Sequence, residues 1–204
     1  MARPVDLQRR ADLARRAVDV LRQRGARRTT MSELAEALGV KRPTLYFYFR
    51  DLTGLLYAAI DTEYREWFAM VSARVGGVEH PIAALGELAR ATVEHNRGRR
   101  DLVLVLFQLW AAGDAEPEEL LRRARAVNAP LRAELVNRVR AGVERKVVAA
   151  CDPERVVDLV LAVLDGALVQ EVTRGAPAPG LVDELWERVL APLMLKPKRP
   201  RRTS

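Results

Sequence analysis

The chain has 204 residues, 49% of them hydrophobic and 30% charged, which is enough to bury a sizeable core and excludes a disordered polypeptide. Its single cysteine, Cys151, excludes an internal disulfide, and its longest apolar run, Leu102 to Phe107, is far too short to span a bilayer. A net charge of +7 points toward a polyanionic partner rather than a basic one.

The N-terminal stretch MARPVDLQRR has no apolar segment of the kind that directs secretion, so a cytoplasmic protein is expected. Sustained period-2 alternation is absent, and apolar residues recur at three- and four-residue spacing almost throughout. The reading is therefore an all-α fold of about nine helices. The first helix is expected from about Asp6 to Arg24, with Leu7, Ala11, Ala14, Ala17, Val18 and Leu21 as its apolar stripe and Gly25 as its stop. Thr30-Met31-Ser32-Glu33 has the pattern of a capping box and opens a second helix that ends at Gly39. Gly39-Val40-Lys41 has the length of a helix-turn-helix turn, and Pro43 suits the first turn of a third helix. Leu45 and Phe49 face inward with Val40, which leaves Lys41, Arg42, Thr44, Tyr46, Phe47 and Tyr48 pointing partly or wholly outward. The alternative for Tyr46 and Phe47 is packing against the first or fourth helix.

Asp51 is expected to cap a fourth helix, about Leu52 to Val75, and Pro81 to open a fifth that reaches Asn96. The sixth, around Leu102 to Ala112, is apolar on all sides and should be buried. A long charged helix follows to about Val148, kinked or divided at Pro130. Asp152-Pro153 opens an eighth helix ending near Arg174. A ninth places Leu181, Leu185, Trp186, Val189 and Leu193 on one face. The last residues, 196–204, form a basic tail expected to be disordered.

The charge is distributed unevenly along these elements. Residues 1–60 carry 12 Lys and Arg against 6 Asp and Glu, residues 61–195 carry 17 against 21, and the tail carries 5 against none. Preference for Arg over Lys accounts for the composition but not for the excess at the two ends. A basic head beside a mildly acidic body is the electrostatic pattern of a phosphate-binding unit. For the Arg-rich face of the first helix, solvated surface and DNA contact are both open.

The helix order, Thr30 with LAEALGV, then RPTLYFYF, and LDGALVQ in the eighth helix, resembles the TetR family of ligand-responsive transcriptional regulators. The match runs over roughly Ala11 to Ile60, where Gly25, Thr30, Leu34, Ala35, Gly39, Val40, Thr44, Leu45, Tyr46 and Phe49 fall in family places. The resemblance implies a DNA-binding domain over 1–51 and a ligand-binding and dimerisation domain over 52–195. Arg42, Pro43, Thr44 and Phe47 would then face base edges, with Thr30, Lys41, Tyr46 and Tyr48 on phosphates. The residue chemistry is compatible, since Arg binds guanine bidentately and aromatic or Thr side chains contact the thymine methyl. Three positions depart from the pattern: Leu52 stands where a phosphate-contacting Lys is usual, Tyr48 where His is frequent and Lys41 where Ser is frequent. Arg50 and Lys41 are the expected substitutes for the lost contact.

The resemblance further implies a small-molecule effector bound in the body. Trp67, Phe68, Phe107 and Trp110 are large apolar candidates, each also readable as core. Thr92, His95 and Asn96 on the fifth helix are polar exceptions, and Gln108 interrupts the apolar sixth, where a buried Gln needs partners. Ala162, Gly166, Leu185, Trp186 and Val189 would serve a homodimer interface, the alternative being packing within one chain. The implied partners are a pseudo-palindromic double-stranded DNA operator, the effector and a second copy, with repression as the expected outcome and no membrane. The rival without an effector is a helix-turn-helix protein that binds DNA alone. No enzyme motif, cofactor fingerprint or metal-ligand spacing is found, and Asp158 with Asp165, seven apart on one helix, reads as a solvated edge rather than a catalytic pair.

Overall fold

Asp6 opens α1 (Leu7–Arg24) by accepting the Arg9 N–H at 3.0 Å, and Gly25, at φ 86°, closes it by donating to Leu21 O. The buried stripe between these caps is Leu13, Ala14, Ala17, Val18 and Leu21. Leu7, expected in that stripe, lies in the first turn beyond the packed region and is exposed. The computed structural model describes residues 6–25, 28–97, 104 and 117–195. The sixth predicted helix and the tail therefore lie outside the described residues, apart from Leu104.

α2 (Met31–Ala37) and α3 (Arg42–Tyr48) follow, then α4 (Leu52–Gly76), which Asp51 caps by accepting the Gly54 N–H at 2.7 Å. The α1 stripe packs into one cluster with Leu34, Ala35, Leu38, Leu45, Phe49, Leu55, Leu56, Ala58 and Ala59. Val20, Val40, Tyr48 and Leu52 pack partly buried against it.

By packing, the chain forms two compact units: Met1–Phe68 with Gly98–Arg125, and Ala69–Arg97 with Ala126–Ser204. α4 contributes to both.

In the second unit, His80 opens α5 (Pro81–Asn96), its Nδ1 accepting the Ile82 N–H at 3.2 Å. That bond assigns the ring proton to Nε2, which donates to Val147 O at 3.1 Å. Arg74 near the end of α4 clamps α5 through Glu87 at 2.6 Å and Glu94 at 2.5 Å. α6 (Pro117–Glu144) runs through Pro130 without dividing, and its Arg138 donates to the carbonyls of Val75 and Val78 at the end of α4. Asp152 caps α7 (Pro153–Arg174) by accepting from Glu154 and Arg155, and Gly175 ends it in the left-handed region. The ninth predicted helix is shorter than expected. α8 (Leu181–Leu185) widens into a π turn over Trp186–Leu190 and tightens into a 3-10 turn over Ala191–Leu193. The chain then pairs with 147–149 in a short antiparallel bridge, Ala149 N–H to Leu193 O at 2.8 Å and Leu195 N–H to Val147 O at 2.9 Å.

Gly86 is the close approach in this unit. A Cβ there would sit 2.7 Å from Cε3 of Trp186, so only glycine lets the indole lie on α5. An alanine gains roughly 1 kcal/mol of helix propensity and loses about 1–3 kcal/mol by overpacking. Gly86→Ala is therefore expected to lower stability in urea unfolding, whereas Gly76→Ala, at an exposed position with nothing within 4 Å of its Cβ, is expected not to. Equal midpoint shifts for the two would contradict the packing described.

Candidate nucleic-acid interface

The turn between α2 and α3 is built from backbone. Gly39, at φ 67°, adopts the left-handed conformation that a side chain resists. Its N–H donates to Glu36 O at 3.0 Å and the Val40 N–H donates to Ala35 O at 2.9 Å, the paired bonds of a Schellman motif. Lys41 then serves as N-cap of α3 without a side-chain bond, and Pro43 sits in the first turn.

α3 buries one side and shows the other. Leu45 is fully buried and Phe49, the C-cap, nearly so. Thr44 and Tyr48 are half-buried, while Lys41, Arg42, Pro43 and Arg50 are exposed. Tyr46 is 42% and Phe47 49% exposed, so neither packs away on α1 or α4. The Arg42 guanidinium lies over the Tyr46 ring at 5.4 Å, one helical turn along. Phe47 meets Tyr48 edge to face at 5.1 Å. The outward surface of a seven-residue helix thus carries a cation, two exposed aromatic rings and a proline.

Thr30 is committed at the start of α2. Its Oγ1 accepts the Glu33 N–H at 3.3 Å and donates to Glu33 Oε2 at 2.8 Å, and its own N–H donates to the same carboxylate at 2.7 Å. The backbone and hydroxyl bonds from Thr30 hold the Glu33 carboxyl below the usual glutamate range. Thr30 can contact a phosphate only by giving up its hydroxyl bond to Glu33.

The Arg-rich face of α1 has partners that sequence reasoning missed. Arg16 donates to Leu38 O at 2.9 Å, Arg10 approaches Tyr48 O at 3.5 Å, and Arg15 pairs with Glu66 at 2.5 Å. Backbone carbonyls leave no trace in side-chain spacing, so only the Glu66 pairing had any signal in the sequence.

The effector candidates are described unit by unit. Trp67 meets Tyr64 edge to face at 6.2 Å and Phe68 is partly exposed, both in the first unit. Thr92 is buried, and His95 and Asn96 half-buried, in the second. Phe107, Gln108 and Trp110 lie outside the described residues.

Of the interface candidates, Ala162 is exposed and Gly166 and Val189 are half-exposed. Leu185 departs from the expectation: it is buried within the chain, where α8 packs on α5. Trp186 is half-buried over Gly86, with the Arg90 guanidinium 5.6 Å from its ring. Leu159 and Val169, 46% and 45% exposed, were not singled out from sequence. With Ala162 and Gly166 they follow helical spacing along one side of α7. Asp158 is held in a bidentate pair with Arg132, at 2.6 and 2.8 Å, whose hydrogen bonds keep its carboxyl low. Among the described residues no group of three His, Cys, Asp or Glu could hold a metal ion, and no helix is long and apolar enough to cross a membrane.

Comparison with known families accords with this geometry. The profile of bacterial regulatory proteins of the tetR family matches residues 13–59, and that of the BetI-type transcriptional repressor C-terminal region matches residues 81–194. The chain belongs to the TetR family. Its fold is shared by a TetR transcription regulator of Haloarcula marismortui, at TM-score 0.73 and 18% identity over 92% of this chain and 100% of that one. The TetR-family regulator PfmR of Thermus thermophilus aligns at 0.67 and 20% identity, over 91% and 96% of the two chains. AibR, solved with isovaleryl coenzyme A and operator DNA, aligns at 0.63 and 17% identity, over 89% and 98%. No curated protein matches in sequence. As a TetR-family transcriptional regulator, the chain presents α2 and α3 as its DNA-binding helix-turn-helix.

The cap at the start of α2 has a defined pH dependence. A depressed Glu33 pKa gives stability that is present above the unfolded-state value and lost as pH falls through the folded one. Thr30→Ala is expected to cost about 1 kcal/mol at neutral pH and to flatten the acid limb of the stability curve. Thermal melts through the acid range check both, and an unchanged acid limb would contradict the Thr30–Glu33 coupling.

Proposed function

We propose that the protein is a homodimeric repressor that holds a pseudo-palindromic operator and releases it when a small molecule binds the body. The observation that carries the DNA half of this reading is the outward face of α3, where Arg42, Tyr46 and Phe47 are exposed on a helix anchored by Leu45 and Phe49. Arg42, Pro43, Thr44 and Phe47 read base edges. Lys41, Tyr46 and Arg50 hold phosphates, with the half-buried Tyr48 at the margin and Thr30 entering only by breaking its bond to Glu33. Leu52 cannot contribute a charge, so Arg50 and Lys41 carry the grip in its place.

Dimerisation is supported by the exposed Leu159, Ala162 and Val169 and the half-exposed Gly166 along α7, an apolar stripe that favours burial against a second copy. Two heads then place their α3 helices in successive major grooves about 34–36 Å apart, or a multiple of that. The complex of AibR with isovaleryl coenzyme A and operator DNA supports a small-molecule site beside a DNA site in this fold. Coupling of the two sites requires that effector and DNA weaken each other's binding reciprocally. The site of action is the cytoplasm.

A duplex enriched by the full-length protein from a random pool provides the probe. Arg42→Ala is expected to cost about 1–3 kcal/mol of specific binding and to relax preference at one base position. Arg50→Ala is expected to weaken specific and non-specific binding alike and to lower the salt slope by about 1. An Arg50→Ala protein with unchanged affinity and slope would remove Arg50 from the phosphate set. For the effector, compounds that raise the melting temperature are added to the preformed complex. Release of DNA is expected, and retention of DNA with every such compound favours a DNA-binding protein without an inducer.

A further inference from the structure

The arginines of α1 were open between solvated surface and DNA contact, and the structure puts two of them to a different use. The Schellman motif at the end of α2 satisfies Ala35 O and Glu36 O and leaves Leu38 O, at the turn itself, without a backbone donor. Arg16 Nη2 fills that place at 2.9 Å, and Asp12, 3.6 Å from the other guanidinium nitrogen, steadies the same group from its own helix. Arg10 stands six residues earlier. Its guanidinium lies 5.3 Å over the ring of Phe49, the C-cap of α3, with Nε 3.5 Å from Tyr48 O. Six residues along α1 span about 9 Å, close to the roughly 10 Å length of the seven-residue α3. Two side chains on one rigid helix can therefore reach both the turn before α3 and the end of it. Each places a cation at a carbonyl terminus, where the helix dipole favours it.

We infer that Arg10 and Arg16 are positioning residues for sequence reading: they fix the direction of α3 through its backbone and do not bind phosphate. This rests on the reading of α3 as the DNA-reading element. A phosphate contact and a positioning contact differ in what they change. Loss of a phosphate contact lowers affinity for all duplexes and reduces the salt slope by about 1. Loss of a positioning contact lets α3 tilt, so base contacts suffer while the charge facing the backbone is kept. Displacements on the order of 1 Å are enough for large losses in aligned chemistry.

The test compares wild type, Arg16→Ala, Arg16→Lys and Arg10→Ala, each as the full chain, at a temperature where melts show all to be folded. The probes are the duplex enriched by wild type and a scrambled duplex of equal length, each titrated over a salt series. Arg16→Ala is expected to lose about tenfold in affinity for the enriched duplex, with affinity for the scrambled one and both salt slopes unchanged. Arg10→Ala is expected to shift in the same direction by less. Arg16→Lys, which keeps the charge and a donor, is expected to recover part of the loss and remains testable if the alanine variant does not fold. A fall in salt slope, or a lower melting temperature with an unchanged ratio of specific to scrambled affinity, overturns the inference. Failure of wild type to enrich any duplex refutes the DNA reading itself, and the inference with it.

Discussion

Two helices of seven residues each cannot hold themselves together in water, because so short a segment barely recovers the cost of nucleating its first turn. α2 and α3 exist because Leu34, Ala35, Leu45 and Phe49 are buried against the stripe of α1 and the start of α4. That single cluster fixes which side of α3 is hidden, and so which side is shown. Arg42, Tyr46 and Phe47 face outward because Leu45 and Phe49 must face inward. The turn adds the second constraint: Gly39 in the left-handed region sets the angle at which α3 leaves α2.

α1 does more than supply a hydrophobic surface. Its apolar side holds the helix-turn-helix by burial, and its polar side holds the same unit by backbone carbonyls and an aromatic face. A basic helix in a DNA-binding head therefore need not face DNA. Charge counting alone overstates the phosphate footprint of this head, since Arg10, Arg15 and Arg16 are engaged within the protein. The cations left facing outward on the helix-turn-helix, Lys41, Arg42 and Arg50, lie beside the exposed rings of α3.

Much of this was legible in the sequence where the signal is local. Caps at Thr30, Asp51 and Asp152, the glycine at position 39 and the period of Leu34, Leu45 and Phe49 each depend on a few adjacent residues, and the structure follows them. What was not legible depends on contacts between distant segments. Nothing near Leu185 in sequence says that its side chain is buried within the chain. Nothing near Arg16 announces Leu38 O. The helical spacing of Leu181, Leu185 and Val189 continues through a segment that widens into a π turn and then pairs with 147–149, because backbone bonds to a distant strand-like stretch override periodicity. Leu7 shows the converse, an apolar residue in register whose helix outruns its neighbours.

The helix-turn-helix is assembled before it meets DNA, held by α1 from behind. Amide hydrogen exchange of the full chain, free and bound to its enriched duplex, measures this most directly. The amides of Val40, Leu45 and Phe49 are expected to be protected in the free protein to nearly the level of Ala17 and Leu21 in α1, and to change little on binding. Fast exchange at these amides in the free protein, with protection gained only in the complex, would contradict it.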